Sequence, residues 1–260
     1  MIFEHFGCRS NPFAETIPCS AIQRSQAFTS MLEHIQLFPE LGEIALLSAR
    51  TGLGKTTLMT ALMEAWQSPY DVTYLHLGSL KGAGLMRAIL HQLGEHPRMG
   101  KDRMFAQVFS QLSKRNRPLC LLIDEAQLMD IASMTDLRLL CGNPEMSGRL
   151  KLLLSGQPIL EKTLQAESLT DLRERLCLKV QLKPMIMTES IDYIAHRMSS
   201  VGGKLNTFTE DALQLIANAT KGVPRKINGL CFRSMLAAVN KEEKIIGANV
   251  VREVHASELP

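Results

Sequence analysis

The sequence predicts an α/β chain, a parallel sheet covered on both faces, followed by a smaller all-helical region. Three observations carry this expectation. Through the first 183 residues, short apolar runs of strand length alternate with helix-length patterns, as βαβ units require. Two of the runs lead directly into a glycine-containing loop and into an acid pair. After Pro184 the apolar residues recur only at helical period.

The strand candidates are residues 43–48, 72–77, 118–125 and 150–155, with a weaker one at 176–182. The runs at 118–125 and 150–155 are nearly continuous in apolar residues, the pattern of strands buried on both faces. Helical patterns fall at 56–66, 84–93 and 101–112. In the later region they fall at 188–200, 209–220 and 224–240, with Thr188 and Thr209 as expected N-caps and Pro224 in a first turn. Gly202-Gly203 reads as the turn ending the first of these helices. The expected division is an α/β nucleotide-binding domain at 1–183 and a helical domain at 184–260, hinged at Lys183-Pro184.

At 260 residues with 45% hydrophobic and 21% charged side chains, the chain has the composition of a globular protein, which excludes a disordered or membrane-spanning class. The six cysteines stand singly, with no histidine at zinc-ligand spacing, so a reduced, metal-free interior is expected. Met129, Met134, Met185 and Met187 are expected to fill gaps between helices. The first residues lack the basic start and apolar run of a signal peptide, and no run reaches the length of a spanning helix, which gives a cytoplasmic expectation.

Net charge is only +3, but it is unevenly spread. Between Lys81 and Arg117 there are eight basic residues against two acidic ones, and between Asn218 and Arg252 seven against two. Such segregation fits a phosphate-facing surface. A solvated face balanced by acidic neighbours in space fits it equally.

The chemistry concentrates at two places. The loop Ala49-Arg-Thr-Gly-Leu-Gly-Lys-Thr56 matches the phosphate-binding P-loop at every defined position but the first, where alanine replaces glycine. In that pattern Thr51, Gly52, Leu53 and Gly54 offer backbone N–H groups to phosphates, Lys55 adds a positive charge, Thr56 offers a hydroxyl to Mg²⁺ and Thr57 continues the helix start. The second place is Asp124-Glu125, after the apolar run 119–123. Asp124 is the expected carboxylate for Mg²⁺ and Glu125 the expected base that orients the attacking water.

With those two motifs, Phe6-Gly, Asn11-Pro-Phe13, Asp124-Glu-Ala-Gln-Leu128, Leu154-Ser-Gly-Gln-Pro158, Leu172-Arg-Glu-Arg175 and Gly222-Val-Pro-Arg225 make nearly the whole chain resemble AAA+ ATPases of the general secretion pathway A (ExeA) group. That group is similar to the transposition regulators of the TnsC, IstB and MuB type. The resemblance implies a three-layer αβα AAA+ domain with a helical lid, ATP and Mg²⁺ as cofactors, and a homo-oligomer in a ring or helical filament. It implies sensor 1 roles for Ser155 and Gln157, a finger at Arg173 or Arg175 that reaches a neighbour's nucleotide, sensor 2 at Arg225, and an adenine position near Asn11, Pro12 and Phe13.

Three functions follow as alternatives. The first is an ATP-dependent regulator that oligomerises on double-stranded DNA without sequence preference, through Lys81, Lys101 and Arg103, and recruits or activates a transposase. The second is a secretion or assembly ATPase; the full-length secretion proteins carry a membrane anchor, and the end of this chain at Pro260 without one favours the first reading, with no membrane partner. The third is a nucleotide-binding scaffold, which the intact Glu125 disfavours.

Overall fold

The computed structural model describes residues 2–18, 21–78 and 83–257, with only the backbone at Leu205. Lys81 and Cys19 lie outside the described residues. In chain order the elements are α1 (Gln26–Gln36), α2 (Phe38–Leu41), β1 (Ile44–Ser48), α3 (Lys55–Ala65), β2 (Asp71–His76), α4 (Gly84–Gln92), α5 (Lys101–Ser113), β3 (Leu119–Asp124), α6 (Ile131–Cys141), β4 (Leu150–Gly156), α7 (Ile159–Thr163), α8 (Thr170–Glu174), β5 (Leu176–Gln181), α9 (Met187–Ser200), α10 (Glu210–Thr220), α11 (Pro224–Asn240) and α12 (Ala248–Ala256). They form two compact units, one within Thr29–Thr51 and Lys55–Leu182, the other within Met1–Phe28, Gly52–Gly54 and Lys183–Pro260.

In the first unit the five strands pair in the order β2-β3-β4-β1-β5, all parallel. Every residue of β1 and β3 is buried, so both faces of the sheet are covered and the expected continuous apolar runs are explained. Ile44, Leu46, Leu119, Leu121, Ile123, Leu150, Leu152 and Leu154 alternate onto one face, where Leu85, Met86, Ile89, Met104, Val108, Met134 and Leu137 pack. Cys120 and Leu122 are buried on the other face, and desolvation holds the Cys120 thiol up at about 12. The β3–β4 register sets Ile123 opposite Leu154, which brings Asp124 beside Ser155; the β2–β3 register sets His76 opposite Asp124. The ends of three strands therefore meet on the even-numbered face of β3.

The second unit is a helical bundle of α9 to α12, with Ile194, Met198, Ile216, Ile227, Cys231, Met235, Val250 and Val251 in its core. Thr209 caps α10 as expected, its hydroxyl accepting from Ala212 N–H at 3.3 Å. Thr188 does not cap α9. The helix begins at Met187, so Thr188 lies inside its first turn, and the Glu189 carboxylate reaches back to the Ile186 N–H at 2.9 Å. Met129 and Met134 are buried and Met185 half-buried, but Met187, in the exposed first turn of α9, fills no gap. Among the described residues, no helix is long and apolar enough to cross a membrane.

The N-terminal segment differs from the expected division at residue 184. Phe6, Cys8 and Phe13 are buried in the helical core, with Phe13 edge-on to Phe208 at 6.2 Å between ring centroids. The physical reason lies in Arg197 of α9, which is 2% exposed. Its Nε donates to Pro12 O at 2.6 Å, its Nη2 to Ala14 O at 2.6 Å and its Nη1 to the Tyr193 hydroxyl at 2.9 Å. His196 adds a bond to Ala21 O at 3.1 Å. The planar fork of one arginine thus fixes two carbonyls of a coil segment, which a sequence pattern of strands and helices does not register.

Replacing Arg197 by methionine keeps the stem and removes every donor, leaving the buried Pro12 carbonyl and the half-buried Ala14 carbonyl without their partner. Chemical denaturation of R197M is expected to show a loss of about 2–4 kcal/mol in the helical unit, and limited proteolysis is expected to cut first within residues 9–18.

Candidate functional site

β1 leaves the sheet at Ser48, and α3 begins at Lys55, so the loop between strand and helix is only six residues long. Gly52 and Gly54 take φ of 83° and 94°, the region closed to most side chains; Ala49 does not. Ala49 is buried, and its N–H donates to Gly156 O at 3.0 Å, so the alanine at the loop's first position continues the sheet and needs no glycine. Thr51 is exposed, Leu53 buried and Thr57 half-buried. Within the helical unit, Arg225 N–H donates to Gly52 O at 3.2 Å and the Arg225 side chain packs on Gly52. Free N–H groups at the α3 start and the helix dipole favour an anion here.

Lys55 is 6% exposed. Its ammonium donates to Ala49 O at 3.4 Å and lies 3.9 Å from Glu125 Oε1. A buried cation held by one carbonyl and one distant carboxylate retains donor capacity, since an ammonium has three N–H groups.

Asp124 is 2% exposed and accepts four hydrogen bonds. Oδ2 receives the Thr56 hydroxyl at 3.3 Å and the Tyr74 hydroxyl at 3.0 Å; Oδ1 receives the Ser155 hydroxyl at 3.1 Å and the Glu125 N–H at 2.9 Å. His76 Nδ1 stands 3.9 Å from Oδ2. Burial, and then the adjoining Asp124 carboxylate, push the Tyr74 phenol well above its ordinary range, so it remains a donor. Glu125 follows with φ 55° and ψ 35°, a left-handed conformation at a residue that carries a Cβ. Its Oε2 accepts from Gln127 Nε2, and Gln127 Oε1 in turn accepts from Gln157 N–H at 3.0 Å.

The structure therefore brings together Lys55, Thr56, Asp124, Glu125, Ser155 and, through its backbone, Gln157. Tyr74, His76 and Gln127 join them without having been singled out in the sequence. Alternation along the second strand put Tyr74 and His76 on one side, but which strand lies next to β2 is not written in that strand.

The other expected residues lie differently. Asn11 Oδ1 accepts from Phe13 N–H at 2.9 Å, Pro12 is buried, and Phe13 is buried in the helical core. Arg225 Nε is 3.5 Å from Glu15 Oε1 on an exposed surface of the helical unit. Arg173 donates to Gln165 O at 3.4 Å, and Arg175 pairs with Glu43 at 3.1 Å; neither makes a contact with the Asp124 cluster among the described residues. Arg175 lines an open groove with Arg138, Asn143, Asp171 and Glu174.

The expected DNA contacts fare unevenly. Lys101 is not a free phosphate ligand: its Nζ sits 2.6 Å from Asp136 Oδ1, a carboxylate 1% exposed on α6, whose charge has to be met in the interior. Arg103 is exposed, with no side-chain partner among the described residues.

Residues 40–164 match the AAA domain family. General secretion pathway protein A of Aeromonas hydrophila is 27% identical over 259 residues, covering 96% of this chain and 47% of that protein, so the chain spans about half the length of this relative. Among solved structures, Cdc6p from Pyrobaculum aerophilum superposes with a TM-score of 0.75 at 21% identity, over 95% of this chain and 70% of that one. The Drosophila ORC bound to DNA does so with a TM-score of 0.68 at 20% identity, over 95% and 64%. The chain has the P-loop AAA+ fold, a five-stranded parallel sheet with flanking helices and a helical C-terminal region.

The buried phenol makes a testable demand. Because the folded state holds Tyr74 protonated beyond the range of an unfolded tyrosine, near pH 10, its stabilisation is complete below that pH and declines as pH rises above it. Unfolding free energies measured from pH 8 to 11 are expected to fall more steeply in the wild type than in Y74F. Equal slopes would remove Tyr74 from this role.

Proposed function

We propose that the chain binds ATP with Mg²⁺ and hydrolyses it to ADP and phosphate, as an AAA+ ATPase working in assemblies of several copies. The convergence of Lys55, Thr56, Asp124 and Glu125 at the ends of β1 and β3 carries this reading. Phosphoryl transfer asks a protein mainly for positioning and charge neutralisation. The N–H groups of residues 51–57 and the Lys55 ammonium supply both for the phosphates. The Thr56 hydroxyl and the Asp124 carboxylate, oxygen donors 3.3 Å apart, are the pair Mg²⁺ takes beside phosphate oxygens and water. Bound there, the ion would neutralise charge on the phosphate oxygens. Ser155 holds Asp124, and Glu125 orients the attacking water. The same reading gives Arg225 a sensor 2 role, Arg173 or Arg175 the role of a finger toward a neighbouring copy's nucleotide, and Asn11, Pro12 and Phe13 a role in adenine binding.

The work coupled to hydrolysis has two readings. Likeness along almost the whole chain to General secretion pathway protein A supports an ATPase serving a secretion or assembly system. The pairing of Lys101 with Asp136 also favours it, by withdrawing one of the charges assigned to DNA. The second reading, a regulator that oligomerises on duplex DNA and recruits or activates a transposase, is supported by the fold shared with the Drosophila ORC bound to DNA and by the exposed Arg103.

Lys55→Ala is expected to lose ATP affinity, while Glu125→Gln keeps it and loses turnover by about 10²- to 10⁴-fold, read by calorimetry and phosphate release. An E125Q enzyme with wild-type turnover would remove Glu125 from the role of orienting the attacking water. For the DNA reading, duplex binding with a slowly hydrolysed ATP analogue is expected to weaken steeply with salt, by about 0.9 in log–log slope for each phosphate contacted, and R103A is expected to flatten that slope. No binding at low salt leaves the secretion reading.

A further inference from the structure

Gln127 sits in the single 3-10 turn Ala126–Leu128, closed by Leu128 N–H on Glu125 O at 2.9 Å. Its amide makes two hydrogen bonds that only one orientation permits. The Glu125 carboxylate only accepts and the Gln157 N–H only donates, so Nε2 faces Glu125 and Oε1 faces Gln157. This approach to the end of β4 depends on Gly156: a Cβ there would stand 2.7 Å from Gln127 Oε1 and 2.9 Å from Leu160 Cδ2. Glu125 holds a left-handed backbone, and its N–H is fixed on Asp124 Oδ1 at 2.9 Å. With the backbone set and Oε2 tied to Gln127, the remaining oxygen, Oε1, is the one that faces Lys55.

We infer that Gln127 is the positioning residue for Glu125, fixing one carboxylate oxygen so that the other is aimed at the phosphate site, and that it makes this aim depend on the end of β4. The inference rests on the hydrolytic role of Glu125 proposed above. Two residues apart on one strand end, Ser155 holds Asp124 directly and the Gln157 N–H holds Glu125 through Gln127. Each carboxylate of the site therefore has one hydrogen bond that traces to the end of β4, directly for Asp124 and through Gln127 for Glu125. A shift of Gln157 away from Gln127 releases Glu125 through a single amide.

The test uses the full chain as wild type, Q127A, Q127E and G156A, with kcat and KM from phosphate release, ATP Kd from calorimetry and Tm from thermal unfolding. Q127A is expected to lower kcat by about 10- to 100-fold with ATP Kd changed less than about twofold, because misplacing a reacting group costs turnover and not ground-state binding. Q127E, which replaces the donor by a second carboxylate, is expected to lose at least as much. G156A keeps Gln127 and displaces its amide, so the same split between kcat and Kd is expected from it. Wild-type kcat in Q127A or Q127E overturns the inference and leaves the ATPase reading standing, as does a loss in kcat that is matched by the loss in affinity. A wild-type chain that binds ATP and never turns over removes the role of Glu125, and this inference with it.

Discussion

A carboxylate taken out of water costs several kcal/mol unless its lone pairs are met, and Asp124, 2% exposed, sets that demand where the ends of three strands of the α/β unit meet. Its four donors come from β2, from the first turn of α3, from β4 and from the next backbone N–H. They converge only if β2 and β4 flank β3 in the observed register and β1, beyond β4, delivers the loop ahead of α3. Sheet order, register and the site are thus one constraint. A one-residue slip of β4 would turn Ser155 to the opposite face and leave Oδ1 with the Glu125 N–H alone.

What was legible in the sequence is what is local to a strand and its two ends. The runs at 43–48, 118–125 and 150–155 announce themselves because a strand buried on both faces has no polar alternation, and the loop after the first run is a string whose glycines have a backbone reason. Asp124 and Glu125 were legible for the same reason, as acids at the end of an apolar run. Tyr74 and Gln127 were not. Tyr74 matters only because β2 is the neighbour of β3, and Gln127 only because a left-handed Glu125 turns the chain so that the amide two residues on reaches back. Adjacency and a single unusual φ leave no trace in composition or period.

The N-terminal segment shows the same limit at larger scale. Phe6 and Phe13 precede the first strand, and proximity in sequence assigns them to the α/β unit; their rings are buried with Phe208 and Ile194 instead. Apolar side chains do not specify which core they join, because burial is non-directional. Direction comes from Arg197, whose guanidinium bonds to Pro12 and Ala14 carbonyls more than 180 residues away in sequence. A buried cation without a carboxylate at its head is satisfied by backbone, so the partner has no residue type for a sequence reader to find.

Charge is where the linear sequence misleads most. The stretch from Lys81 to Arg117 carries an excess of six positive charges on paper, yet two of its members are answered by acids outside it, Lys101 by Asp136 on α6 and Arg115 by Asp71 at the start of β2. The two answers differ in kind. The Arg115 pair is partly exposed and contributes little to stability either way, since solvent and salt screen it. Asp136 is buried, so Lys101 is held by the cost of leaving a carboxylate unmet in the interior, and a passing phosphate would have to exceed that cost to recruit it. A run of basic residues therefore becomes a polyanion surface only after its buried counter-charges are subtracted. Here that subtraction leaves Arg103 as the one member of the expected trio that the structure shows exposed and without a side-chain partner among the described residues.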